Sequence, residues 1–261
     1  MPPRQHWLLP LSLGLGLALS GCGEIRLPVS SLREPFQPGQ PPAAFRRQPQ
    51  EELMEAARLD AAAEAALMAQ LRVADQAWIP RAVPLPGGGT RYLYRRQPGD
   101  PPLSLEQLHQ LMRFPPTFDQ EQLTIRSLLT QLRQVGVRVL LAAPRRQGAA
   151  GEWEPRRALL RIRPDVVGKG SREFARVLNH EAIHVAQSCR GGSLRHAPQR
   201  LGLAMHLDAA TRRHLDAPLY AKISTREREL EMEAYANQHQ LALSQQLLAR
   251  FCRSERDGLS G

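Results

Sequence analysis

VLNHEAIHVA, Val177 to Ala186, is the stretch on which the reading of the whole chain turns. Two histidines, His180 and His184, stand four positions apart, with Glu181 beside the first. On an α-helix, positions i and i+4 project from one face, so the two imidazoles can grip a single ion. The carboxylate between them then lies next to that ion and can act as a base. Between Ser171 and Cys189, the apolar residues Phe174, Val177, Leu178, Ala182, Ile183, Val185 and Ala186 spread around most of a helix circumference, the mark of a helix sunk in a core. Burying His180, Glu181 and His184 among such neighbours is costly unless they are paired or hold a cation. One zinc ion per chain would supply the partner.

The flanks of this helix carry its punctuation. Ser171, after the turn Gly168-Lys169-Gly170, can cap its start, and Gly191-Gly192 can end it. Upstream, VRVLLAA (Val137 to Ala143) and RALLRIRPDV (Arg157 to Val166) read as strands. The second alternates Leu159, Leu160 and Ile162 with arginines, as a half-exposed strand would, and RRQGAAGEWEP between them reads as a long hairpin-like connection. Further upstream, Ser104 can cap a helix to about Arg113. Thr117 or Asp119 can cap a longer one from Gln120 to about Gln134, which Gly136 ends. Glu51 to about Trp78 has helical spacing in Leu53, Ala57, Leu67, Met68 and Leu71 and is expected as a peripheral helix. Pro84 to Pro102 is loop around a short strand, Arg91 to Tyr94. Downstream, Ser224 and Glu227 form a capping box for a helix through about Gln238, whose expected buried stripe is Leu230, Ala234, Leu241 and Leu248.

The N-terminus reads as a targeting segment. A short basic start with Arg4 leads to an apolar run, Leu8 to Leu19, too short to span a bilayer comfortably, and then to Ser20, Gly21 and Cys22. LSGC, Leu19 to Cys22, resembles the lipobox of bacterial lipoproteins. That resemblance implies a signal peptide over 1–21, lipidation of Cys22, export, and anchoring to a membrane that faces the periplasm or cell exterior. Gly23 after the cysteine favours the outer membrane where one exists. Residues 22–50, rich in Pro, Gln and Ser, read as a disordered tether. A single domain over 51–252 follows, with 51–100 as an N-terminal extension and 101–252 as the core, and 253–261 is a tail. Outside the cytoplasm disulfides persist, which makes Cys189 and Cys252 candidates for a bridge.

With 261 residues, 42% of them hydrophobic, the chain can bury a sizeable core. Its formal charge of +10 would suit nucleic acid, but the basic residues are scattered. Aromatics are only 5%, and Lys169 and Lys222 are the only lysines, so no nucleic-acid partner is expected. There is no Gly-rich phosphate loop and no G-x-S-x-G elbow.

With its uncharged flanks, VLNHEAIHVA resembles the extended H-E-x-x-H pattern of zincin metallopeptidases. The resemblance covers roughly Gln120 to Ala249 in the order of elements and motifs. It implies an α+β, helix-rich fold in which a small sheet precedes the H-E-x-x-H helix and a C-terminal helix supplies the third ligand. It also implies His180 and His184 as zinc ligands and Glu181 as general base. The metzincin continuation is absent, since Gln187 and Arg190 stand where its glycine and third histidine belong. ELEMEAYA resembles instead the E-x-E-A signature of gluzincins, which favours Glu231 as third ligand. Glu233 is the alternative, because helical phase does not choose between them. Tyr235 occupies the position at which those families place an Asp or Asn that braces a zinc histidine. If Glu233 is the ligand, Asn237 is a further acceptor one turn on. Tyr220, Tyr235, His214 and His206 are candidates to stabilise a developing oxyanion. The function expected is that of a membrane-tethered zinc metalloendopeptidase acting on a peptide or protein of the cell envelope. The alternative is a non-catalytic envelope lipoprotein that uses such a fold for binding or assembly.

Overall fold

The computed structural model describes residues 57–96 and 101–252. The lipobox-like segment, Cys22, the tether and the tail lie outside the described residues. No helix among the described residues is long and apolar enough to cross a membrane.

The architecture is α+β, helix-rich around a small sheet. In chain order the elements are β1 (Ala57–Arg58), α1 (Ala61–Asp75), β2 (Arg81–Pro84), β3 (Thr90–Leu93), α2 (Leu105–Arg113), α3 (Asp119–Gln134), β4 (Arg138–Leu141), β5 (Gly151–Glu154), β6 (Leu159–Ile162), α4 (Ser171–Arg190), α5 (Ala209–Leu215), α6 (Thr225–Asn237) and α7 (Leu243–Phe251). Two of the expected caps are present in full: Ser104 with Gln107, and Ser224 with Glu227, each satisfies the other's backbone N–H. Helix α3 starts at Asp119, and neither Thr117 nor Asp119 caps it through a side chain.

The two expected strands, β4 and β6, do pair, but in parallel, with Val139 opposite Leu160. The connection between them hides a third strand: β5 runs antiparallel to the far side of β6 with Gly151 opposite Ile162, giving the order β1-β4-β6-β5. Nor is β6 half-exposed. All four of its residues are buried, Arg161 included, because the guanidinium of Arg161 bonds Glu154 at 2.7 Å and lies 3.8 Å from Glu152. The short strand expected at Arg91 to Tyr94 is β3, paired with β2 in a separate two-stranded sheet.

The segment expected as a peripheral helix is part of the core. Residues 51–56 of it lie outside the described residues, Ala57–Arg58 is strand β1, which pairs with β4 through Ala57 opposite Leu141, and the helix begins at Ala61. Leu67, Met68 and Leu71 of α1 share one buried cluster with Leu128 and Leu132 of α3, Leu160 and Ile162 of β6, and Phe174, Leu178 and Ile183 of α4. At its C-terminal end, buried Asp75 accepts hydrogen bonds from the Ser171 backbone N–H at 2.6 Å and the Ser171 hydroxyl at 2.7 Å. Ser171 is therefore the first residue of α4 and not its cap, and the orphan donor at the helix start goes to a carboxylate 96 residues away. Gly170, at φ +94°, makes the approach possible, since a Cβ there would meet the Asp75 carboxylate at 2.6 Å.

At the other end of α4, Cys189 is bonded to Cys252, just past α7. The bridge closes a loop with a sequence separation of 63 and in the chain-entropy picture stabilises by about 4 kcal/mol. A Cys189→Ser, Cys252→Ser variant is expected to unfold at a clearly lower denaturant concentration than the oxidised parent. An unchanged midpoint would mean that the bridge adds nothing.

Candidate metal centre

Helix α4 brings His180 and His184 onto one face, one turn apart, with their Nε2 atoms 3.2 Å from each other. The capping box at Ser224 starts α6 in a phase that turns Glu231 toward them. Its Oε2 lies 3.4 Å from His180 Nε2 and 3.6 Å from His184 Nε2. Three atoms that all carry lone pairs thus face a common point, an arrangement that only protons or a cation can hold together. Tetrahedral ligands about 2.0 to 2.1 Å from a zinc ion sit about 3.3 Å from one another, close to the three separations found. His180, His184 and Glu231 therefore form a buried group able to hold a metal ion, with donors of the type zinc favours.

The choice between the two glutamates follows from where their other oxygens go. Glu233, fully buried, accepts the backbone N–H groups of Leu201 at 2.9 Å, Gly202 at 2.7 Å and Leu203 at 3.0 Å, and the Gln187 side chain at 3.1 Å. It is the anchor of the 201–203 turn, with no oxygen left for a metal. Asn237, expected beside a Glu233 ligand, instead donates to the carbonyls of Ala204 and Glu233.

The hydrogen bonds of Gln187 fix a tautomer. Its Nε2 faces two groups that only accept, the Leu230 carbonyl at 3.2 Å and the Glu233 carboxylate at 3.1 Å, so its Oε1 must be the atom facing His184 Nδ1 at 2.7 Å. His184 donates from Nδ1, and when neutral it presents a lone pair at Nε2 to the common point. His180 is held differently. The Tyr235 ring packs edge-on against it at 4.5 Å between centroids, and His180 Nδ1 has no hydrogen-bond partner among the described residues. The aromatic residue at this position braces the histidine by contact, without a hydrogen bond.

The electrostatics without a cation are those of a self-neutralising cluster. Burial opposes a charge on His184, but the adjacent Glu231 carboxylate overrides it and raises His184 to about 9. Burial lowers His180, and burial of Glu231 is overcome by His184 and His180, which hold its carboxyl well below the usual range. Glu181 is pushed up to about 8, chiefly by burial with Glu231 and Glu152 adding to it, while His184 and the Trp153 backbone N–H pull the other way. A divalent cation at the common point would draw Glu181 back toward its ionised form. Space for the Glu181 carboxyl comes from Gly151 on β5, where a Cβ would stand 2.7 Å from it.

Of the four oxyanion candidates, three are brought together. The Tyr235 hydroxyl lies 2.9 Å from His214 Nε2 and 2.6 Å from the Tyr220 hydroxyl. Burial and the nearby Glu231 raise both phenols above their ordinary range, so both keep their protons. His206 is exposed and takes no part. The expected stripe does not lie on one helix, because α6 ends at Asn237 and Leu241 precedes α7.

The sequence does not show the parts played by Asp75, Gly151 and Gln187. Of these only Gln187 had a signal, as a polar residue three positions after His184 on the same face of a buried helix. Comparison of the chain with family models, with curated proteins and with solved structures finds no match.

Proposed function

We propose that this protein is a zincin-like, zinc-dependent peptide hydrolase, exported as a lipoprotein and tethered to a membrane through Cys22. The observation that carries the reading is the convergence of His180, His184 and Glu231 with Glu181 on the same helix. His180, His184 and Glu231 would hold one zinc ion. When bound, that ion supplies Lewis acidity, which polarises a peptide carbonyl and makes water a stronger acid. Glu181, held ionised by a cation at that point, would take the proton that the attacking water gives up and deliver it to the nitrogen leaving from the broken C–N bond. Tyr220 and Tyr235 are both protonated, and as the bond between them uses one of the two protons, the other hydroxyl is the donor that could face a carbonyl oxygen gaining negative charge beside His180. Gln187 keeps His184 in the ligand tautomer and is itself held by Glu233.

The test uses the full chain in detergent. About one zinc per chain and cleavage of casein, lost to a chelator and restored by zinc, are expected. Metal-free protein after incubation with zinc would remove the reading. Zinc without cleavage would favour the binding or assembly role.

A further inference from the structure

Glu231 turns one oxygen, Oε2, to the histidines and leaves the other, Oε1, to Arg146 of the β4–β5 connection, whose Nη1 lies 3.5 Å away. That distance is long for a hydrogen bond, and Glu231 already has two histidines to neutralise it. A guanidinium has five N–H donors, and among the described residues Arg146 makes no other side-chain hydrogen bond or ion pair, its further interactions being the Tyr220 ring and a charge interaction with the Glu227 carboxyl. Its side chain is 39% exposed, whereas those of His180, His184 and Glu231 are 9–15% exposed, so it stands at the mouth of an otherwise buried site. The guanidinium carbon lies over the Tyr220 ring, 5.9 Å from its centroid, a cation–π contact that favours this position. The other arginine of this region, Arg176, differs: Glu173 grips it at 2.6 and 2.9 Å and Gln238 at 2.9 Å, which leaves it committed.

An arginine placed at the entrance to a metal-capable site, with most of its donors unspent, matches one ligand chemistry well, a carboxylate taken by two parallel N–H groups. We infer that Arg146 is a specificity residue that selects peptides carrying a carboxylate close to the bond held at the metal. The carboxylate is either the C-terminal group of the peptide or an Asp or Glu side chain. The cleavage itself rests on the reading given above, whereas the preference is a property of binding.

Binding is therefore measured without cleavage, in zinc-loaded full chain carrying Glu181→Gln, by titration calorimetry. Three probes are used: N-acetyl-tetraalanine with a free C-terminus, the same peptide as its C-terminal amide, and an amide in which the third alanine is replaced by aspartate. At least one acid is expected to bind about tenfold more tightly than the neutral amide. A preference for the free C-terminus identifies C-terminal selection, and one for the aspartyl peptide identifies side-chain selection. Adding Arg146→Ala is expected to abolish the preference with zinc content unchanged, and Arg146→Lys to keep part of it. Equal binding of the three peptides, no binding of any, or a preference that survives Arg146→Ala overturns the inference. Zinc content and casein cleavage are read on separate samples, so failure of the hydrolase reading is seen independently.

Discussion

Glu181→Gln is expected to retain zinc and to lose peptide hydrolysis by roughly 10²- to 10⁴-fold, the usual contribution of a positioned proton carrier. The two parts of the result come from different features. Zinc is kept because Glu181 is not one of the three converging donors. The fold is kept because glutamine matches the neutral carboxyl in shape, and that is the form burial favours below about 8 in the metal-free protein. The sign of the pH effect follows. The carboxyl binds its proton more tightly when folded than the ordinary 4.5, so the metal-free wild type is relieved of any cost below 4.5 and is progressively destabilised as pH rises through about 8. The Gln variant lacks this loss, and comparing the melting temperatures of the two metal-free proteins across that range tests it. Unchanged casein cleavage by Glu181→Gln would remove Glu181 from the chemistry.

Glu231→Ala and Glu233→Gln are expected to fail in opposite ways. Without Glu231 the site keeps two histidines, which leaves zinc one ligand short of its usual protein set; dialysed protein should come out metal-free yet folded. Glu233→Gln places an amide NH₂ against a cradle of four donors, three of them backbone N–H groups of residues 201–203. Disrupting so buried a carboxylate costs on the order of 3 to 5 kcal/mol, a drop in melting temperature of roughly 6 to 20 °C for a domain of this size. Zinc content by atomic emission and thermal unfolding by circular dichroism read the two outcomes. If Glu233→Gln loses zinc at full stability, the roles are exchanged.

The parts of the site visible in the amino-acid order are those whose geometry is local. His180 and His184 meet because they are one turn apart, and Ser224 with Glu227 starts a helix because both partners lie within its first turn. In the sequence only the resemblance favours Glu231, since it and Glu233 lie at similar angles to either side of the expected buried stripe. What separates them is a turn about 30 residues upstream whose three amides claim Glu233. The start of α4 is hidden in the sequence for the same reason: Ser171 suffices locally as a cap, but the group that takes its N–H is Asp75, 96 residues distant. Strand β5 escaped because it is four residues long, starts with glycine and is set in a glycine-rich connection, yet it turns the expected hairpin into a parallel pair with an extra edge. The arginines of β6 suggested exposure, and Arg161 is buried because its counter-charges lie on that unrecognised strand.

Cys189 lies five residues beyond His184 on the helix that carries both histidines, and its bond to Cys252 is a covalent restraint on the end of that helix. The histidine-bearing helix is thereby pinned by a bond that, unlike its packing, does not weaken with temperature or denaturant. In oxidising surroundings the end of this helix cannot fray away from its neighbour. With the two cysteines as free thiols, that end of the helix would open more often and offer its backbone to proteases.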